Sequence, residues 1–324
     1  MKIFTLICAI LYSFTLTAQD CTEELLLQKP GTWKTGIQGS INGVIPADLV
    51  KEKSVLAAIH KMENTKYNPK GCQVLYSTSY SKYPSAGDVW ISDPYEYTMF
   101  ILPFLCDSKS ADQSKYTVAI ASATNVTISA NEISWLNTLY AATIHDDFRG
   151  YYKLEDRPVK KGGYYFFGED NVNPEQEIVE YRWLITYNDA LPFSYLNRRE
   201  YLQLQQKRLE KSIKESPGEK EYFQKFLDNI SEYLTKPDSE LSQTAICMSN
   251  DEEQFSGFVE EGTKGSFIAV KPNLEYYNKK LPMSSPQFFT VIYTLSQGEP
   301  VFEENIAAIK EATDFAALKN MLGK

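Results

Sequence analysis

A chain of 324 residues with a formal charge of −9 is long enough to bury one large core or two modest ones. Its acidic balance argues against a nucleic-acid partner, because such partners are held by clustered Lys and Arg that neutralise phosphates. The basic pairs present, Lys160-Lys161 and Arg198-Arg199, are short and read as a turn and a solvated face. With two histidines in the chain, a Ser or Cys triad would have to use His60 or His145.

Met1 to Ala18 has the form of a secretory signal peptide. Lys2 is the basic region, IFTLICAILYSFTL the apolar core, and Thr17-Ala18-Gln19 the small-residue cleavage region. The apolar run is too short to favour a membrane-spanning helix. Asp20 directly before Cys21 is not the small residue that lipoprotein processing needs. The expectation is a secreted or periplasmic protein, with no transmembrane segment once the leader, and with it Lys2, is removed; the charge then goes from −9 to −10. Residues 19–324 carry no linker, repeat or low-complexity tract. They read as one α+β unit or as two packed halves, about 19–190 and 191–324.

In chain order, Thr32 to Gly43 reads as a Gly-rich entry, and Pro46 then opens a helix at its tolerated first position. Leu49, Leu56, Ile59 and Met62 form its apolar stripe. His60 lies beside that stripe and reads as a satisfied side chain. From about 72 to 187 the chain is strand-rich: CQVLYSTSY, YEYTMFILPFLC, YTVAIASA and NVTISA alternate or run apolar between turn residues. Arg149-Gly150 and Gly162-Gly163 look like hairpin turns. Meandering neighbours of this kind predict an antiparallel sheet.

Val179, Tyr181, Trp183, Ile185 and Tyr187 then alternate with Glu180, Arg182, Leu184 and Thr186, the pattern of a half-buried strand. Asn188-Asp189 supplies a turn, Pro192 keeps Leu191 extended, and Asn197 with Glu200 forms a capping box for a helix from about Arg198. Ser216-Pro217-Gly218 breaks that helix from a second one with a stripe of Tyr222, Phe223, Phe226, Leu227, Ile230, Tyr233 and Leu234. The pair, about 198–235, is a helical hairpin expected to cover a sheet face. Strands return within 264–296 to extend the sheet. Helical EENIAAIKEA and DFAALKNML close the chain. The order of elements is α+β and lacks the regular βα alternation of a doubly wound sheet.

The block WLITYNDALPFSYLNRREYL, with PGTWKTGIQGSINGV near the start and ATDFAALKNMLGK at the end, resembles a group of uncharacterised secreted bacterial proteins. The resemblance implies secretion and a shared architecture. It brings no activity and no site residues.

Four cysteines, Cys21, Cys72, Cys106 and Cys247, remain after the leader, in an oxidising compartment; four allow three pairings. Cys72 and Cys106 each sit at the end of a strand-like segment, which favours Cys72–Cys106 and Cys21–Cys247, with buried free thiols as the alternative.

His145-Asp146-Asp147 is the most suggestive polar cluster, and strand alternation would place His145 and Asp147 on one face as a ligand or proton-transfer pair. Ser79-Tyr80-Ser81-Lys82 and Lys34-Thr35-Gly36 echo penicillin-binding motifs in the wrong order and on the wrong elements. The adjacent acids Glu155-Asp156 and Glu169-Asp170 read as solvated turns. No phosphate-cradling glycine loop, zinc motif or nucleophile elbow is present, so no cofactor or metal is expected. The 22 tyrosines include the doublet Tyr164-Tyr165, which on a strand presents one ring to each side and offers a stacking surface. The leading expectation is a non-enzymatic binding or interaction protein with an extracellular or envelope ligand. A carboxylate-based hydrolase of an extracellular polymer and a structural envelope accessory are the alternatives. Two acids facing each other across an aromatic cleft would select the hydrolase; an aromatic surface without them selects binding.

Overall fold

The alternation of residues 179–187 separates two cores. In the computed structural model, which describes residues 21–82, 92–110, 112, 115–132, 151–187, 189–248 and 255–324, this stretch lies inside a large sheet covered on both faces. The first part of the chain forms α1 (Glu23–Leu27), β1 (Thr32–Asn42), α2 (Pro46–Lys66), β2 (Cys72–Ser81), β3 (Tyr95–Cys106), β4 (Tyr116–Val118) and β5 (Asn125–Ala130). The middle forms β6 (Tyr152–Leu154), β7 (Val159–Lys161), β8 (Tyr164–Asn173), β9 (Ile178–Thr186), β10 (Phe193–Tyr195), α3 (Arg198–Glu215), α4 (Lys220–Tyr233) and α5 (Asp238–Leu241). The last part forms β11 (Ile246–Met248), β12 (Ser266–Pro272), β13 (Phe288–Ser296), α6 (Pro300–Ala312) and α7 (Phe315–Met321).

The nine-stranded sheet runs β1-β2-β3-β5-β13-β9-β8-β7, with β4 against β3. Every pairing is antiparallel except β1 with β2. Four shorter strands, β10, β11 and β6 around β12, make a second sheet. The fold is thus α+β with a dominant antiparallel sheet, as the pattern predicts. Of the two late strands, β13 inserts between β5 and β9, whereas β12 nucleates the second sheet. The Gly-rich entry is the edge strand β1. Gly36 and Gly39 are required there by proximity: a Cβ would come within 2.1 Å of the Tyr76 ring at the first and 2.8 Å of the Thr78 carbonyl at the second.

Three apolar clusters stack in layers. The first holds Leu56 and Ile59 of α2, Ile306 and Ile309 of α6 and Leu318 of α7 against Val74, Met99, Ile128, Ile185, Val291 and Tyr293 of the large sheet. The second lies between the sheets, with Leu184 and Phe288 facing Tyr152, Phe193, Ile246, Ile268 and Val270. The third lies on the far side of the small sheet, where Cys247, Phe267 and Ala269 meet Leu202, Leu209, Leu227 and Ile230 of the helical hairpin. The hairpin therefore covers the small sheet and not the large one. β9 is buried on both faces. On its polar side Arg182 is 6% exposed and pairs with Asp170 at 3.1 Å and with Glu180. A charge buried that deeply persists only when paired and hydrogen-bonded.

The capping box at the start of α3 forms as the sequence predicts. Asn197 Oδ1 accepts from the Glu200 N–H at 2.8 Å, and Glu200 Oε2 accepts from the Asn197 N–H at 3.0 Å. Glu200 also binds Lys271 of β12, which ties the hairpin to the sheet beneath it. Asn197→Ala is expected to lower stability by about 1 kcal/mol, measurable as a shift in urea midpoint with unchanged slope.

The disulfide joins Cys21 to Cys106, which replaces both pairings expected from strand ends. Cys72 and Cys247 are buried and lie outside the disulfide. Cys72 lies opposite Pro103 in the β2–β3 register. Cys106 is three residues further along, about 10 Å at strand rise and past the reach of a disulfide. Cys247 lies two layers away, under the hairpin. Burial pushes the Cys72 thiol up to about 12, against hydrogen bonds with Tyr67 and the Lys70 backbone, so it is inert as a nucleophile. Among the described residues no helix is long and apolar enough to cross a membrane.

Candidate functional site

His145, Asp146 and Asp147, with the Arg149-Gly150 turn, lie outside the described residues. Tyr164 and Tyr165 open β8 and split between its faces, as their spacing requires. Tyr165 faces the second sheet and donates to the Asp189 carbonyl. Tyr164 faces the helical side and lines a cleft. Glu155 and Asp156 are exposed in a bend after β6. His60 donates or accepts a 2.9 Å bond with the Tyr97 hydroxyl and stacks on Tyr76 at 4.1 Å. Burial holds its imidazolium below the usual range, so it serves as a neutral packing partner.

The cleft encloses about 640 Å³ between β7, β8 and β9 on one side and the α6–α7 junction on the other. Its shape follows from local chemistry. Gly162 (φ 59°) and Gly163 (φ 88°) connect Lys161 to Tyr164 in a two-residue hairpin, a conformation that β-carbons disfavour at both positions. This turn carries Lys161 and Tyr164 to the rim. At the junction, Asp314 caps α7 by accepting from the Ala317 N–H at 2.9 Å, and Phe315 at the first helical position points back over the sheet.

The half-buried rings Tyr164, Tyr181, Trp183 and Phe315 make the wall, with Phe166 buried behind them. Phe315 meets Tyr164 edge to face at 5.1 Å and Trp183 at 5.4 Å, and Phe166 meets Trp183 at 4.6 Å. Tyr181 and Tyr293 continue the surface toward α6. Among the described residues one acid, Glu169, reaches this face. Phe166 pairs with Trp183 but Glu169 pairs with Tyr181, so one extra residue is accommodated between them, at Gly168 with φ 98°. Without that bulge, alternation would put Glu169 on the opposite side from Phe166. Glu169 and Asp170 are therefore strand residues on two faces and not the turn expected: Glu169 is exposed, as expected, and lines the cleft, and Asp170 is paired with Arg182.

Two lysines sit on ring faces here. Lys310 Nζ lies 3.4 Å from the Tyr181 centroid and 5.5 Å from that of Tyr293, and Lys161 Nζ lies 3.9 Å from that of Phe166. Burial of its stem pushes the Lys310 ammonium below its usual range, with the charge of Glu169 opposing. The Tyr181 hydroxyl is raised, first by burial and then by Glu169. Beneath the floor, the Thr313 hydroxyl bridges the Ile309 carbonyl at 2.9 Å and Glu63 Oε2 at 3.3 Å. Glu63 is fully buried. That burial pushes its carboxyl up to about 7, against the Thr313 bond and Lys66.

A shallower recess of about 420 Å³ includes Arg157, Arg198, Thr244 and Phe258. Its cations are already engaged: Arg157 bonds Glu261 at 2.8 Å and stacks on Tyr195, and Arg198 lies 3.8 Å from Glu240. Among the described residues no group of three or more His, Cys, Asp or Glu side chains is arranged to hold a metal ion. Comparison with protein-family models, with curated proteins and with solved structures finds no match to this chain.

Proposed function

We propose that this chain is a secreted or periplasmic binding protein whose ligand lies in the cleft between β7–β9 and the α6–α7 junction. The carrying observation is the wall of half-buried rings Tyr164, Tyr181, Trp183 and Phe315 around a concave space of about 640 Å³. Cavities of some 300–1,000 Å³ lined by aromatic side chains with a few polar groups are typical of small-molecule sites. A carboxylate-based hydrolase has less support, because glycoside hydrolysis uses two acids flanking the bond and the described residues of the lining contribute one, Glu169. The Cys21–Cys106 disulfide accords with an oxidising compartment.

The test is a thermal-shift screen of the mature protein against mono- and oligosaccharides, amino acids and small carboxylic acids. Compounds that raise the Tm of the wild type are expected to leave Phe315→Ala unshifted. Equal shifts in both proteins would move the site elsewhere, and release of reducing ends from an oligosaccharide would replace binding by hydrolysis.

A further inference from the structure

The charge of the cleft is opposite to that of the protein. In a chain of net charge −9, the cleft presents two ammonium groups and one carboxylate. Nearby lysines that approach acids close on them: Lys160 binds Asp189 at 2.8 Å and Lys66 binds Asp314 at 2.8 Å. Lys161 and Lys310 form no such bridge among the described residues. Each is laid on the face of a ring, Phe166 for Lys161 and Tyr181 for Lys310. Cation–π contact holds an ammonium in place while leaving its outward N–H groups available to an anion. In the Arg157–Arg198 recess, by contrast, both cations are within salt-bridge distance of acids, whereas Glu169 acts on Lys310 without closing a bridge among the described residues.

From this juxtaposition we infer that the ligand of the cleft is a ring compound bearing a single carboxylate and at least one hydroxyl, a uronic acid or a hydroxylated aromatic acid. This rests on the binding reading above. The rings of Trp183, Tyr164 and Phe315 take the flat face of the ligand. Lys310 and Lys161 take its carboxylate through charge-assisted hydrogen bonds, which are about twice as strong as neutral ones. Glu169 accepts from the hydroxyl and repels a second negative charge, so the site discriminates against phosphate dianions.

Isothermal titration of the mature protein separates these elements. The probes are glucuronate and galacturonate, their neutral parents glucose and galactose, 4-hydroxybenzoate, and inorganic phosphate. The expected result is binding of at least one acid, at least about tenfold weaker binding of its neutral counterpart and of phosphate, and an affinity that falls with salt. Lys310→Met keeps the aliphatic stem over the rings and removes the charge. It should lower acid affinity about tenfold and the affinity for a neutral ring by much less, so that the ratio of acid to neutral affinity falls. The sugar and benzoate arms identify which source of the carboxylate is preferred. Binding of neutral and acidic rings with equal affinity, both abolished by Phe315→Ala, would overturn the anion assignment and leave the cleft standing. Acid binding insensitive to both Phe315→Ala and Lys310→Met would overturn cleft and assignment together. Absence of binding to every acid at millimolar concentration also overturns the assignment.

Discussion

Cys106→Ser is expected to produce the largest loss of stability of any single substitution outside the core. Cys21 and Cys106 are 85 residues apart in sequence, and closing a loop of that length removes about 4–5 kcal/mol of unfolded-chain entropy in the loop-closure model. The bond pins the segment that carries α1 to the end of β3, where Leu26 is the one buried side chain of the helix. A helix of five residues has no stability of its own, so this segment depends on the tether. Cys106 is exposed, so serine creates neither a cavity nor a buried hydroxyl, and the cost isolates the cross-link. Urea unfolding of wild type, of Cys106→Ser and of wild type in reductant should give two coincident weakened curves. Peptide mapping of the oxidised protein should recover a Cys21–Cys106 linked pair, with Cys72 and Cys247 alkylated only in denaturant. A linked Cys72–Cys106 peptide would refute the assignment. A loss below about 1 kcal/mol would mean that residues 21–31 fray independently of the body, so that the loop-closure entropy never reaches the global transition.

The contrast between the expected and observed bridges marks the limit of what the sequence carries. Element type was legible wherever a period was long: the strands β2, β3, β5, β9 and β13, the helix break at Pro217 and the capping box at Asn197 all follow from local rules. Register was not legible, and a pairing of cysteines depends on register to within one or two residues. The same holds for Glu169, whose place in the cleft depends on the bulge at Gly168. A glycine inside an aromatic strand pattern is the signal for such a bulge. Lys310 gave no signal, since its role depends on β9 and β13 coming together across the sheet. The half-buried reading of β9 failed for a related reason. Arg182 and Glu180 look like solvent-facing residues until Asp170, on the neighbouring strand, is brought beside them. Helix α2 buries more than its apolar stripe. Its buried residues are Glu52, Leu56, Ile59 and Glu63, a single face with an acid at each end, while Leu49 and Met62 flank it half-buried. Hydrophobic periodicity counts charges as solvent-facing, so it had no means of placing two of them inside.

Those two acids lead to the second large effect: the protein should be most stable in mild acid and should weaken as the pH rises past neutrality. Glu52 is fully buried, and neither carboxyl oxygen has a hydrogen-bond partner among the described residues. Burial pushes its carboxyl up to about 8, and the neighbouring charges of Asp93 and Asp48 push in the same direction. Glu63 is raised to about 7, chiefly by burial. An acid whose folded pKa lies above its unfolded value of about 4.3 keeps a proton that the unfolded chain gives up. Its contribution is complete below that unfolded value, declines from there, and is lost once the pH passes the folded pKa. His60 acts oppositely: its depressed pKa makes the unfolded chain bind the extra proton below about pH 6.5. Asp314, held low by its bonds to Lys66 and the Ala317 N–H, weakens the fold further in strong acid. These slopes place the maximum on the acid side of neutrality. Glu52→Gln preserves shape and cannot ionise, so its stability relative to wild type should rise by about 4 kcal/mol between pH 5 and pH 9. Urea midpoints at pH 5, 7 and 9 measure this. A constant difference between variant and wild type across that range would show that Glu52 carries the same charge in the folded and unfolded chain, and the proton held inside α2 would have to be assigned to Glu63 alone.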